Sequence, residues 1–417
     1  MAVGLLSHSV SDLCLGKPAL RPLPATASVG DAILALRSSS DPHLSVWSCD
    51  HRPNSSSSSL EVDAGAACRC VGKVCMVDVI CYLCREDNLR RPGDALKAPV
   101  TEILPESSDA SVRHLEPSSS LLEAIDIILQ GAQNLVVPIQ TKRSTRRKLP
   151  GKPLSASPTH HSNGLEFCWL TQEDVVRFLL SSIALFSPLP ALSIDSLGLI
   201  NPDFLAVDYD SPASSALGPI SLSLAHQTSV AVTDSEGVLI GEISPFTLAS
   251  CDETVAAAVA TLSCGDLMAY IDCGGPPEDL VRVVKSRLRE QNLIGLLEGF
   301  SFSSSSSSIS SMLSSGSWCS SSSSDEESVG SPNGSLPRIG RQRSLGYSAR
   351  MVRRSEAIVC HPKSSLVAVM IQAIAHRVNY VWVIEEDGSL VGIVTFSSML
   401  EVFREHLELH DDGLGEL

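Results

Sequence analysis

Four short passages end an apolar run on a hydroxyl or thiol and place another polar residue three positions later. They read Gly72-Lys-Val-Cys75-Met-Val-Asp78, Cys168-Trp-Leu-Thr171-Gln-Glu-Asp174, Gly241-Glu-Ile-Ser244-Pro-Phe-Thr247 and Gly392-Ile-Val-Thr395-Phe-Ser-Ser398. Where a strand stops at such a residue and a helix begins, the first backbone N–H groups have no partner within the helix. A cap hydroxyl and a carboxylate at that place suit an anionic, sugar-bearing ligand. The helix start favours negative charge, and a carboxylate accepts two hydrogen bonds from a vicinal diol.

The four passages are not equal. Thr171 with Asp174 is complete; Asp78 keeps the acid but has Cys75 for the hydroxyl. Thr247 and Ser398 stand where the acid is needed behind Ser244 and Thr395. A hydrogen bond to a charged group is worth about 1.5–3 kcal/mol, so losing the acid weakens diol capture roughly ten- to a hundred-fold. Asp78 and Asp174 are the expected ligand acids, against the plainer alternative that Asp174 only caps its helix.

The elements that must position these residues also repeat. Arg21 to Ile33, Arg113 to Ile125 and Ile358 to Met370 share one frame: an extended stretch, a Ser-rich cap, then apolar residues at helical spacing. Val207 to Leu217 is a weaker copy. In the second copy Leu121, Ala124, Ile125, Ile128 and Leu129 share a helix face. A strand follows, such as Leu135 to Ile139, Val230 to Val232 or Tyr380 to Ile384, then turns at Asp234–Gly237 and Glu385–Gly388 in two copies. The unit is strand, helix, strand, strand, helix, and a repeat decides the fold.

This unit resembles the cystathionine-beta-synthase (CBS) domain. The resemblance spans residues 10–90, 99–187, 195–272 and 355–408, with a helix at 277–300 and a Ser-rich linker at 301–354. It implies an α+β fold of four CBS-type βαββα repeats paired into two Bateman-like modules. It is similar to plant CBS-domain proteins and to gamma-like regulatory subunits of AMP-activated and sucrose-nonfermenting-type protein kinases. The family implies adenosine nucleotides, AMP, ADP or ATP, in clefts between paired repeats, the Ser/Thr near phosphate and the Asp on the ribose. Carried over by position, the nucleotide contacts are Cys75, Asp78, Thr171, Asp174, Thr395 and Ser398. Kinase gamma subunits also place a basic pair before the last strand. His376 and Arg377 are the phosphate candidates, although the pair lies two residues too far from Gly392 and would equally serve as a helix C-terminal cap. Asn379 stands at the basic position, as Asn134 does in the second repeat.

Acids outnumber bases 47 to 31 in the 417 residues, a net charge of −16, which argues against nucleic acid as a partner. The most apolar stretch, Phe178 to Ile194, is broken by Pro188 and Pro190, so no membrane span is expected. Repeat sequence starts by Val10, leaving no room for a long targeting peptide, and a cytoplasmic or nuclear home is expected. No phosphate loop, zinc-helix motif or nucleophile–base pair is present, so no enzyme activity, metal or required cofactor is expected.

Among thirteen cysteines, Cys68, Cys70, Cys75, Cys81 and Cys84 crowd together without zinc-finger spacing. Small buried residues are the expectation for Cys81 and Cys84, and redox sensing is the alternative. A basic block, Lys142 to Lys152, is either a docking site for an acidic partner or a solvated loop. The linker, expected to be disordered, holds Arg341-Gln-Arg-Ser344, which makes Ser344 a candidate for regulatory phosphorylation.

Three functions follow from these features. The first is a regulatory module sensing adenine nucleotide for a protein partner such as a kinase complex. The second is an interaction scaffold with degenerate ligand sites, regulated through its linker. The third, since the chain is Cys-rich and the resemblance to plant relatives implies thioredoxin-type partners, is a redox-linked regulator of such partners.

Overall fold

The computed structural model describes residues 8–39, 41–48, 68–104, 112–139, 166–272, 276–300 and 356–412. Ser344, the rest of the Ser-rich linker and the basic block at 142–152 lie outside the described residues.

The strand–helix–strand–strand–helix unit occurs four times. Repeat 1 has β1 (Pro22–Pro24), β2 (His43–Ser48) and β3 (Arg69–Cys75); repeat 2 has β4 (Val112–His114), β5 (Asn134–Ile139) and β6 (Glu166–Thr171). Repeat 3 has β7 (Ala206–Asp208), β8 (Val230–Thr233) and β9 (Leu239–Ile243); repeat 4 has β10 (Val359–Cys360), β11 (Tyr380–Ile384) and β12 (Leu390–Thr395). Each set forms its own three-stranded sheet, the first strand parallel to the second and the third antiparallel to it.

The helices form where the sequence puts caps and an apolar face. Ser28 Oγ accepts the Asp31 N–H at 3.1 Å to open Val29–Ser38, and Ser120 accepts the Glu123 N–H at 3.1 Å to open Leu121–Leu129. Leu121, Ala124, Ile125 and Ile128 are buried as their spacing requires; Leu129 is half-buried. In repeat 3 the second helix is cut short. Pro245–Leu248 makes a single turn, and the chain restarts as Val255–Thr261 and Cys264–Asp272.

Each sheet has two buried faces, and they pair the repeats in two different ways. One face packs on helices. Met76–Leu83 of repeat 1 lies against Leu217–His226 and Val255–Thr261 of repeat 3, while Phe396–Asp412 of repeat 4 lies against Leu121–Leu129 and Gln172–Ser181 of repeat 2. Two apolar cores result, one joining repeats 1 and 3 and one joining repeats 2 and 4. Val284 and Leu288 of Glu278–Glu290 are fully buried in the first core, so that amphipathic helix packs inward.

The opposite face packs on the sibling sheet. Trp47, Cys70, Val112 and Val136 make a small separate core between repeats 1 and 2, with the Trp47 and Phe167 rings 5.0 Å apart. Between repeats 3 and 4 the hairpin tips pair: Leu239 N–H reaches Gly388 O and Leu390 N–H reaches Gly237 O, both at 3.3 Å. Gly237 and Gly388 take φ near +83° and +84°, a conformation that disfavours any other residue there.

The lead-ins tie each pair together. Residues 8–14, which precede β1, dock on repeat 2, with Ser9 bridging Ser120 and Val10 and Cys14 in its core. Residues 193–201, which precede β7, dock on repeat 4 through Ser193–Ser365 and Asn201–Ile393 bridges. At that second crossing Gly392 lies beneath the chain. A Cβ there would stand 2.6 Å from Asn201 O and 2.7 Å from the Ile200 side chain.

Gly392→Ala should therefore lower stability by about 1–3 kcal/mol, read as a shifted urea midpoint. Gly218→Ala is the control. It faces open space inside Leu217–His226, where alanine is the better helix former, and stability should hold or rise by about 1 kcal/mol.

Candidate ligand sites at the seams between sheets

The strand-to-helix turns sit at one end of the two seams. In repeat 1 the Cys75 N–H donates to Asp78 Oδ2 at 2.7 Å. In repeat 2 the Thr171 N–H and hydroxyl both donate to Asp174 Oδ2 at 2.7 Å. Each acid thus caps its own helix and keeps its carboxylate at the turn. In repeat 4 Ser398 takes over that task. Its Oγ accepts the Thr395 N–H at 3.1 Å and lies 2.8 Å from Thr395 O, so two neutral hydroxyls serve each other. In repeat 3 Ser244 Oγ accepts the Phe246 N–H at 3.3 Å.

The two acids differ in their surroundings. Burial pushes the Asp78 carboxyl up to about 6, against the Cys75 N–H and the charge of Lys73, which both favour its ionised form. Asp174 is engaged by Lys17, whose Nζ donates to Asp174 Oδ2 and, at 2.7 Å, to Trp169 O. Lys17 follows the crossing lead-in, so the complete sequence motif of repeat 2 meets a cation supplied from before β1. Spacing within the motif held no sign of this.

Two residues before each cap lies a position that shares the seam-facing side of the strand, as strand alternation requires. It is Lys73 in repeat 1, Trp169 in repeat 2, Glu242 in repeat 3 and Ile393 in repeat 4. Half-buried Lys73 crosses the seam to Asn134 Oδ1 at 3.1 Å, its Nζ 6.0 Å from the centre of the Trp169 ring. Crowding lowers its pKa, and the same crowding, with Lys73 nearby, holds the His43 imidazole well below its usual value and so neutral. Glu242 crosses the other seam and is buried, 5% exposed. The Trp382 indole N–H donates to it at 2.7 Å and the Tyr380 hydroxyl lies 2.9 Å away, 3.4 Å from Ser244 Oγ.

His376 and Arg377 are exposed at the end of Leu366–His376. Arg377 takes φ +56° and its N–H bonds the Ala373 and Ile374 carbonyls, as a C-terminal cap does. Register moves one sequence assignment: Asn134 pairs with Thr171, but Thr395 pairs with Tyr380, not Asn379. Tyr380 is the counterpart of Asn134. Asn379 instead donates to Gln227 Oε1 at 2.8 Å, across to repeat 3.

The thiols are mostly inert by placement. Burial raises Cys70, Cys81, Cys251 and Cys360 to about 12 and drives Cys75 and Cys84 up as well. Among the described residues no group of three His, Cys, Asp or Glu side chains could hold a metal. No described helix is long and apolar enough to cross a membrane.

Comparison with known proteins agrees with this architecture. The CBS domain profile matches residues 349–405. The CBS domain-containing protein CBSX5 of Arabidopsis thaliana is 52% identical over 420 residues, spanning 98% of this chain and 99% of the relative. The chain belongs to the CBS domain-containing family. CBSX6 of the same plant is 28% identical over 96% of this chain and 94% of its own. The SNF1-related protein kinase regulatory subunit gamma-like PV42b, also from Arabidopsis thaliana, is 20% identical over 97% of this chain and 96% of its own. Among solved structures, MJ1225 of Methanocaldococcus jannaschii, a putative archaeal homolog of g-AMPK, shares the fold at a TM-score of 0.50. It is 14% identical and covers 95% of this chain and 100% of its own.

Two measurements check the site chemistry. An acid whose pKa is raised on folding stabilises the fold below its unfolded value near 3.8, and that contribution is lost as pH rises through about 6. Asp78→Asn removes this dependence, so its melting temperature should gain on the wild type between pH 4.5 and 7.5. Each kcal/mol relieved corresponds to about 2–4 °C; a constant difference would contradict the buried acid. For the thiols, a group near 12 holds about a thousandth of the thiolate of a free cysteine at neutral pH. Peptide mass spectrometry after brief iodoacetamide treatment should find Cys70, Cys75, Cys81 and Cys84 unlabelled when folded and labelled in urea.

Proposed function

We propose that this chain is a non-catalytic regulatory protein that binds an adenosine-type nucleotide at the seam of repeats 1 and 2 and conveys its presence to a protein partner. The observation that carries this reading is the acid-bearing cap turn of repeat 1. Asp78 is held at the helix start by one N–H, and a cationic side chain, Lys73, stands two residues before the Cys75 cap. Carboxylate for a diol, amides and ammonium for phosphate, and the Trp169 ring beside Lys73 for a base make a chemically complete set. A ligand here touches both repeats, so it favours one arrangement of the pair over another by its difference in affinity.

The family relationship supports a regulatory role. The gamma-like name of the PV42b relative makes a kinase complex the first partner to seek. A scaffold reading has its own support in repeats 3 and 4, which lack an acid at the turn and whose Ser244 faces Tyr380. The redox reading is weakened by the raised pKa of the buried thiols.

Calorimetry on the full chain with AMP, ADP, ATP and adenosine tests the proposal. At least one nucleotide should bind, and Asp78→Asn should weaken it about ten- to a hundred-fold. Asp174→Asn should matter less, since Lys17 already occupies that carboxylate. Absence of heat with any nucleotide, on protein shown to be folded, would leave the scaffold.

A further inference from the structure

The two seams carry opposite charges at equivalent positions. Lys73 and Glu242 each stand two residues before the cap of an odd-numbered repeat, and each reaches into the even-numbered repeat beside it. Their satisfaction differs. Among the described residues the Lys73 ammonium, with three N–H groups, meets one acceptor, Asn134 Oδ1. It forms no ion pair there; the nearest carboxylate influence is Asp78, itself tied to the Cys75 N–H. Glu242 is met by a hydroxyl and an indole N–H, and its seam is filled by the Tyr380 and Trp382 rings, 5.9 Å apart, with Phe204 stacked edge-on at 6.1 Å.

A half-buried ammonium with spare donors is a site for an anion, because each added charge-assisted hydrogen bond recovers solvation lost on folding. A buried carboxylate closed in by rings is the reverse. As a carboxylate it disfavours a second negative charge beside it.

We propose that the seam between repeats 1 and 2 is the anion-accepting one among the described residues, where Lys73 receives the negatively charged end of the ligand, while the Glu242 carboxylate disfavours an anion beside it in the seam between repeats 3 and 4. The ligand class is a phosphate ester with a free vicinal diol, the diol on Asp78 and the phosphate on Lys73. For nucleotides this rests on the function proposed above; the anion preference itself does not.

Three readings on the full-length protein decide it. In calorimetry AMP should bind at one molecule per chain and about ten-fold or more tighter than adenosine. Lys73→Met should bring AMP down to the affinity of adenosine while leaving adenosine unchanged, and Lys73→Arg should keep most of the difference. Equal loss for both ligands, an intact AMP advantage, or two molecules per chain would overturn the inference. Should no nucleoside bind, the functional reading fails, and sodium pyrophosphate at constant ionic strength decides the rest. It should raise the melting temperature of the wild type and of Glu242→Gln but not of Lys73→Met. Equal protection of wild type and Lys73→Met, or none in either, would sink the anion site. Lys73→Gln replaces Lys73→Met in every arm if circular dichroism shows the latter unfolded.

Discussion

A three-stranded sheet with helices on one side still has an apolar face left over, and this chain resolves that problem four times at once. The leftover face of each sheet is covered by its sibling, around Trp47, Val136 and Phe167 in one pair and around Trp382 and Glu242 in the other. The helical faces are then covered by the opposite pair, which is why one large core joins the two odd repeats and the other the two even ones. No repeat closes a core alone. Changes at one seam therefore reach the helix interfaces through single strands such as β2, whose Leu44 and Val46 face one core while Trp47 faces the other.

That arrangement also bears on where the proposed ligand chemistry sits. The seam of repeats 1 and 2 is lined by the small core of Trp47, Cys70, Val112 and Val136, with Phe167 and Trp169 partly buried beside it. The cap turns at Asp78 and Asp174 lie where its strands stop and the helices start, with backbone N–H groups already oriented and a carboxylate held in place. The same turns would build the fold with no ligand at all, as Thr395 and Ser398 do. What makes a cap turn a ligand site is the residue across the seam.

The local architecture was legible in the sequence because it rests on local rules. Ser28 and Ser120 cap helices, Gly237 and Gly388 turn hairpins, and the Leu121–Ile128 face buries as its spacing demands. The motif of repeat 2 did not show its partner: Lys17 lies 157 positions away and reaches Asp174 because the lead-in crosses to the sibling repeat. Asn379 was set one residue out of register for a related reason, since strand pairing fixes Tyr380 opposite Thr395 and no local pattern marks that register. Lys73 and Glu242 were legible in principle. Period-two alternation puts them on the same side as the cap, and a charged residue in an apolar strand is the signal.

This signal shows how two similar modules diverge without changing fold. Lys73 lies outside both large cores, whereas Tyr380, Trp382 and Ile393 belong to the core of repeats 2 and 4. At one seam the variation is an ammonium set against Asn134 and Trp169; at the other it is a carboxylate set against Tyr380 and Trp382. Breaking the second set would strand a buried charge, a large cost, so Glu242 and its two ring donors hold repeats 3 and 4 in one arrangement. Among the described residues the first set is held by a single neutral acceptor. If an anion binds at Lys73 as proposed, it would act on the seam of repeats 1 and 2 and not on the Glu242 seam, a division of labour that suits a sensing protein.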